Sequence, residues 1–144
     1  MAFTFGLQNV LDFQQLKEEE ARTVYEQLQH KLNLHNTMLA QLQENMKEAQ
    51  ERLYNELASP NMMWLEEQYI QSLQADIASG IKHKAILEEK LAKQHEIVLE
   101  LAKKTKSMDT LKTRRKERYL QEQEYKEQQQ LDAMTTMRYK HETN

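Results

Sequence analysis

Along residues 21–53, apolar side chains recur at alternating steps of four and three: Ala21, Tyr25, Leu28, Leu32, His35, Leu39, Leu42, Met46, Ala49, Leu53. His35 is the one polar member, and the positions between are mostly Gln, Glu, Lys and Asn. A 3.5-residue period keeps one stripe facing a partner helix, which is the seam of a coiled coil. Upstream, Leu7, Val10, Leu11, Phe13 and Leu16 continue an apolar stripe at looser spacing. A second seam runs Ile70, Leu73, Ile77, Gly80, Lys84, Leu87, Leu91, Gln94, Val98, Leu101, Thr105, Met108. It is interrupted, and Ile81 is expected to replace Gly80 as the inward group through a local stutter. From Lys112 to Gln130 only Tyr119, Leu120 and Tyr125 are large and apolar; the rest are good helix formers. Apolar residues return at Leu131, Met134, Met137 and Tyr139.

One strong break separates the seams, at Ala58-Ser59-Pro60-Asn61. Proline lacks a backbone donor and turns the residue before it away from helix. Asn61 is expected to cap the helix that follows. The pattern therefore predicts an all-α fold: one long antiparallel two-helix coiled-coil hairpin over residues 1–144, with a C-terminal helical overhang. Helix 1 spans about 7–57, the turn about 58–61 and helix 2 about 62–140. Folding at residue 60 sets Leu53 near residue 67 and Leu7 near residue 113. Helix 1 is then ~75 Å long and helix 2 ~118 Å, leaving about 30 C-terminal residues without a partner. The second seam fades near Met108, where its partner runs out. Glu18, Glu19 and Glu20 fall opposite Lys103, Lys104 and Lys106, an arrangement that favours this orientation.

Composition agrees. The 144 residues hold two glycines and one proline, too few turn formers for a sandwich, barrel or doubly wound fold. Charged residues make up 30% and mean hydropathy is -0.92, values that would also suit disorder were the seam absent. Twenty basic against 23 acidic side chains give a net charge of -3, so no global attraction to nucleic acid follows. Cysteine is absent, which excludes disulfides and thiolate chemistry. No apolar run reaches the ~20 residues a membrane span needs, and the N-terminus does not read as a signal peptide. A soluble cytoplasmic chain is expected. Its seam is thin against an ordering cost of ~1–2 kcal/mol per residue, so marginal stability and dependence on a partner are expected too.

Little in the chain points to catalysis. No metal-binding helix motif, phosphate loop or nucleophile elbow occurs, and His30 and His35 point to different faces of their helix. No cofactor, no metal and no enzyme activity are expected. His35 reads as a polar interruption that fixes register. The segment Lys103–Arg118 is strongly basic. It reads as a solvated helix face, as a phosphate-binding strip, or as an electropositive surface for an acidic protein lumen. Met62, Met63, Trp64, Leu65, Tyr69, Ile70 and Leu73 gather beside the turn, either capping the hairpin or forming a docking patch. Met134, Met137 and Tyr139 form a smaller apolar tip on the overhang, where a partner is expected.

The opening Met1-Ala2-Phe3-Thr4-Phe5-Gly6-Leu7-Gln8-Asn9-Val10-Leu11 resembles the start of the FliJ family of flagellar export proteins. So do Tyr69-Ile70-Gln71-Ser72-Leu73 and the Glu/Gln/Arg-rich end with Leu131-Asp132-Ala133-Met134. The resemblance covers nearly the whole chain, and needle-type secretion stalk proteins are a weaker match. It implies a central stalk of type III export that inserts the end bearing both termini into the hexameric export ATPase FliI. It also implies contact with the cytoplasmic domain of the gate protein FlhA and handling of emptied export chaperones. On this resemblance the gate contact falls on Leu42, Tyr69 and Leu73. The ATPase-ring contact falls on Phe5, Leu7, Arg114, Arg115, Leu131 and Met134. Asn45, Ala49, Asp76 and Gly80 depart from the family pattern. The chain is then a monomer at the cytoplasmic face of the inner membrane, touching the membrane only through the gate and binding no nucleic acid. The alternatives are a generic coiled-coil scaffold or chaperone, and a nucleic-acid binder using residues 103–118.

Overall fold

The computed structural model describes residues 2–55 and 59–143. Helix α1 runs Gln8–Asn55 and helix α2 runs Pro60–Thr143; no strand occurs among the described residues. The expected end of helix 1, residues 56–57, and Ala58 of the expected turn lie outside the described residues. The second helix begins earlier than the break suggests. The Met63 amide donates to the Ser59 carbonyl at 3.0 Å, which puts Ser59 at the cap position and Pro60 in the first helical position. Proline suits that place, because its fixed φ is helical and its missing N–H would have no partner there. Asn61 therefore lies inside the first turn instead of capping it.

Packing groups the chain into two compact units, Met1–Glu18 with Glu100–Asn144, and Glu19–Leu99. In the Glu19–Leu99 unit the helices run antiparallel, and the seam positions all face inward. Ala21, Leu32, Leu39, Ala49, Ile70, Leu73, Ile77 and Gly80 are buried, and the remaining seam residues are half-buried. Cross-helix partners lie nearly equidistant from residue 60. Arg52 meets Glu66 at 2.9 Å, the His35 and His83 rings lie 5.5 Å apart, and Tyr25 lies 5.6 Å from His95. Gln94 Nε2 donates to the Ala21 carbonyl at 3.0 Å, so a polar seam residue finds its partner on the facing backbone.

The stutter expected at Ile81 does not occur. Gly80 is buried in the seam and Ile81 is 54% exposed. A Cβ placed on Gly80 would overlap Leu39 Cδ2. Leu39 thus fills the space a side chain would take, and the unbroken period keeps Gly80 inward.

In the other unit the inward positions are Leu7, Leu11, Gln14 and Glu18 on the N-terminal side, again at steps of four and three. Leu11 is only 1% exposed, whereas Val10, Phe13 and Leu16 face outward. The period, not local apolarity, decides which side chains pack. The facing seam continues through Leu101, Thr105, Met108, Leu111 and Lys112, with the buried Thr105 hydroxyl donating to the Leu101 carbonyl at 3.0 Å.

Pairing does not fade at Met108. Residues 2–7 precede α1 and lie against α2, with Phe5 buried and the Phe3 ring 5.6 Å from the Tyr119 ring. Among the described residues the last half-buried one is Gln123, and every residue of Glu124–Glu142 is exposed while helical. The unpaired stretch is therefore shorter than the seam alone implies, because aromatic side chains before α1 extend the contact.

Candidate functional site

Leu42 is half-buried and lines a groove with His35, Met38, Asp76, Ser79, Gly80 and His83. Gly80 shapes this groove. Its bare backbone lets α1 approach, and its carbonyl oxygen lies 2.6 Å from His35 Nε2. Tyr69 is exposed, while Leu73, one helical turn on, is buried at 4% in the seam. Of the three residues assigned to the gate contact, Tyr69 and the edge of Leu42 can meet a partner directly. Leu73 holds the helix pair beneath them. The sequence left Met38, Ser79 and His83 out of this group, since they flank the seam and no period marks them.

The residues assigned to the ATPase ring fall in three places, all in the unit with both termini. Phe5 is 6% exposed, and the Arg115 guanidinium carbon sits 5.6 Å from its ring centroid. Leu7 is half-buried beside it in sequence. Arg114 is exposed and shares a shallow basic groove on α2 with Lys103, Lys106, Ser107, Thr110 and Leu111. Leu131 and Met134 are exposed on the unpaired stretch, about 24 and about 28 Å along α2 from Arg115 by helical rise. The sequence missed Phe3 and Tyr119, which join Phe5 and Arg115 in one aromatic–cation cluster.

Among the described residues, Lys103, Lys104, Lys106 and Arg114 form no ion pair. The groove is open and positive, suited to an acidic surface.

In the first turns of α2, Met62, Trp64, Leu65 and Tyr69 are exposed, with Trp64 at 58%. Ile70 and Leu73 are in the seam. No group of three His, Asp or Glu among the described residues is placed to hold a metal ion. No helix among them is long and apolar enough to cross a membrane.

A family model described as "Flagellar FliJ protein" matches residues 3–144. No curated protein and no solved structure matches the chain significantly.

Proposed function

Because the chain belongs to the flagellar FliJ protein family, and is on that ground a component of flagellar protein export, we propose that it acts as a non-catalytic stalk between the export ATPase and the export gate. The observation that supports this most is the stretch Glu124–Glu142, which is helical and exposed along its length and carries Leu131 and Met134. An isolated helix gains most of its stability from packing an apolar face. A helix this long without a partner in its own chain is suited to one supplied by another protein.

In this reading the end with both termini enters the pore of the FliI hexamer. Arg114 and the strip around it meet acidic pore residues, and Leu131 and Met134 meet apolar ones. Phe5 and Leu7 lie beneath this surface, Phe5 under the Arg115 guanidinium and Leu7 just before α1. The groove at Leu42 and the exposed Tyr69 face the cytoplasmic domain of FlhA, with Leu73 as their support. The Trp64 patch serves emptied export chaperones. The chain works as a monomer at the cytoplasmic face of the inner membrane. Coupling requires that ring and gate each bind one state of the other more tightly.

Co-purification tests this. The full chain should retain both the ATPase and the gate domain. Tyr69→Ala should lose the gate domain alone, and Leu131→Asp with Met134→Asp the ATPase alone. Retention of both partners by both variants would overturn these assignments.

A further inference from the structure

The residues before α1 are held on α2 by side chains. A turn closed by the Gln8 amide donating to the Phe5 carbonyl at 3.0 Å brings Phe5 down onto the helix. Phe5 is buried there, under the guanidinium of the otherwise exposed Arg115. Phe3 reaches further along, its ring tilted at 48° and 5.6 Å from Tyr119. No backbone hydrogen bond joins residues 2–7 to α2 among the described residues. Aromatic pairs and cation–π contacts contribute modestly one by one, so a strap held this way opens far more easily than a helix pair does.

Its position gives the strap a consequence. It ends where the unpaired stretch begins: Tyr119 and Gln123 are half-buried, and from Glu124 onward α2 is exposed. We propose that residues 2–7 form a latch that covers the Arg115–Tyr119 face of α2 and sets how much of that helix is free. Closed, the latch leaves Glu124 onward available. Open, it uncovers the half-buried Tyr119 and frees the Arg115 guanidinium from the Phe5 ring, so that the free face gains an aromatic ring and a cation no longer engaged within the chain. A partner that grips α2 over this face must displace Phe3 and Phe5, and the latch therefore opposes its binding. The inference rests on the ATPase reading for the identity of that partner. The latch itself rests on contacts within the chain.

The natural absence of cysteine permits a clean lock. Full-length protein carrying Phe3→Cys and Tyr119→Cys is oxidised to close the latch, and its binding to purified hexameric export ATPase is compared before and after reduction. A separate full-length protein carrying Phe3→Ala and Phe5→Ala opens the latch. The locked form should bind several-fold more weakly than its reduced form, and the open variant several-fold more tightly than the natural chain. Equal binding by locked and reduced forms, or weaker binding by the open variant, would overturn the latch.

Limited trypsin cleavage after Lys112 and Arg115 gives a partner-free readout. It should be several-fold faster in the open variant than in the natural chain, and slower in the locked form. If no form binds the ATPase, the stalk reading fails and the latch is judged by cleavage alone. Equal cleavage rates in all three would then overturn it.

Discussion

His35 on α1 and Gly80 on α2 meet through a single polar contact: His35 Nε2 lies 2.6 Å from the Gly80 carbonyl oxygen. The geometry assigns the ring proton to Nε2, since a carbonyl accepts and does not donate. A histidine in the seam is thus matched to the one seam position without a side chain. A slip of one heptad would set His35 against Leu73 or Leu87 and leave its donor unpaired.

Gly80→Ala should reveal what this close approach is worth. Alanine raises helix propensity by ~1 kcal/mol, but its Cβ overlaps the buried Leu39, and overpacking of that kind costs ~1–3 kcal/mol. The net expectation is a loss of up to ~2 kcal/mol, read by thermal unfolding followed by circular dichroism. Combined with Leu39→Ala, the alanine at position 80 should become favourable. A gain in stability from Gly80→Ala alone would mean the helices lie further apart than described.

Gln14 gives a prediction of opposite sign. It occupies an inward seam position, and its Oε1 is buried without a hydrogen-bond partner. An unsatisfied buried acceptor costs ~1–3 kcal/mol, whereas leucine would fit the apolar seam. Gln14→Leu should therefore stabilise the protein, by roughly 1 kcal/mol or more. Denaturant titration checks it; an unchanged or lower midpoint would contradict the burial.

Arg52 and Glu66 pair near the hairpin end, with Nε at 3.2 Å and Nη2 at 2.9 Å from the same carboxylate oxygen. Arg52 is substantially exposed, so the pair should contribute no more than ~1 kcal/mol. A double-mutant cycle with Arg52→Ala and Glu66→Ala should show a coupling of that size at low salt. It should shrink near 1 M salt, where the Debye length is ~3 Å. Coupling that stays constant with salt would point to packing of the Arg52 stem instead.

Leu131→Asp and Met134→Asp should separate stability from binding. Both side chains are exposed, so each change should alter unfolding by within about 0.5 kcal/mol. Retention of the export ATPase should nevertheless drop at least tenfold for the double variant. A large loss of stability would mean the stretch packs on something within its own chain.

The seam and its register were legible because spacing alone carries them. Every one of the inward positions read from Ala21–Leu53 and Ile70–Met108 is at least half-buried, including the polar His35, Gln94 and Thr105. Where apolarity was followed in place of period, the reading failed. Val10, Phe13 and Leu16 are large and exposed, while Gln14 and Glu18 turn inward. Ile81 lost its place to Gly80 for the same reason. The latch was hidden by its irregular backbone. Residues 2–7 have no period to reveal which side they pack, and Tyr119 lies in a polar run where one aromatic means little. Of the candidate site, the exposure of Tyr69, Leu131 and Met134 suits the contacts given to them. Leu73 is buried as its seam position requires, at odds with a direct contact, and the burial of Phe5 follows from three-dimensional packing that no period marks.

The central claim is that the exposed end of α2 carries the export role. Secretion of flagellar filament protein into the medium tests it in cells that lack this chain. These cells are supplied with the full chain or with one ending after Gln123. The full chain should restore secretion, and the shortened chain, though folded by circular dichroism, should not. Full secretion with the shortened chain, or undiminished secretion with none, would contradict the account.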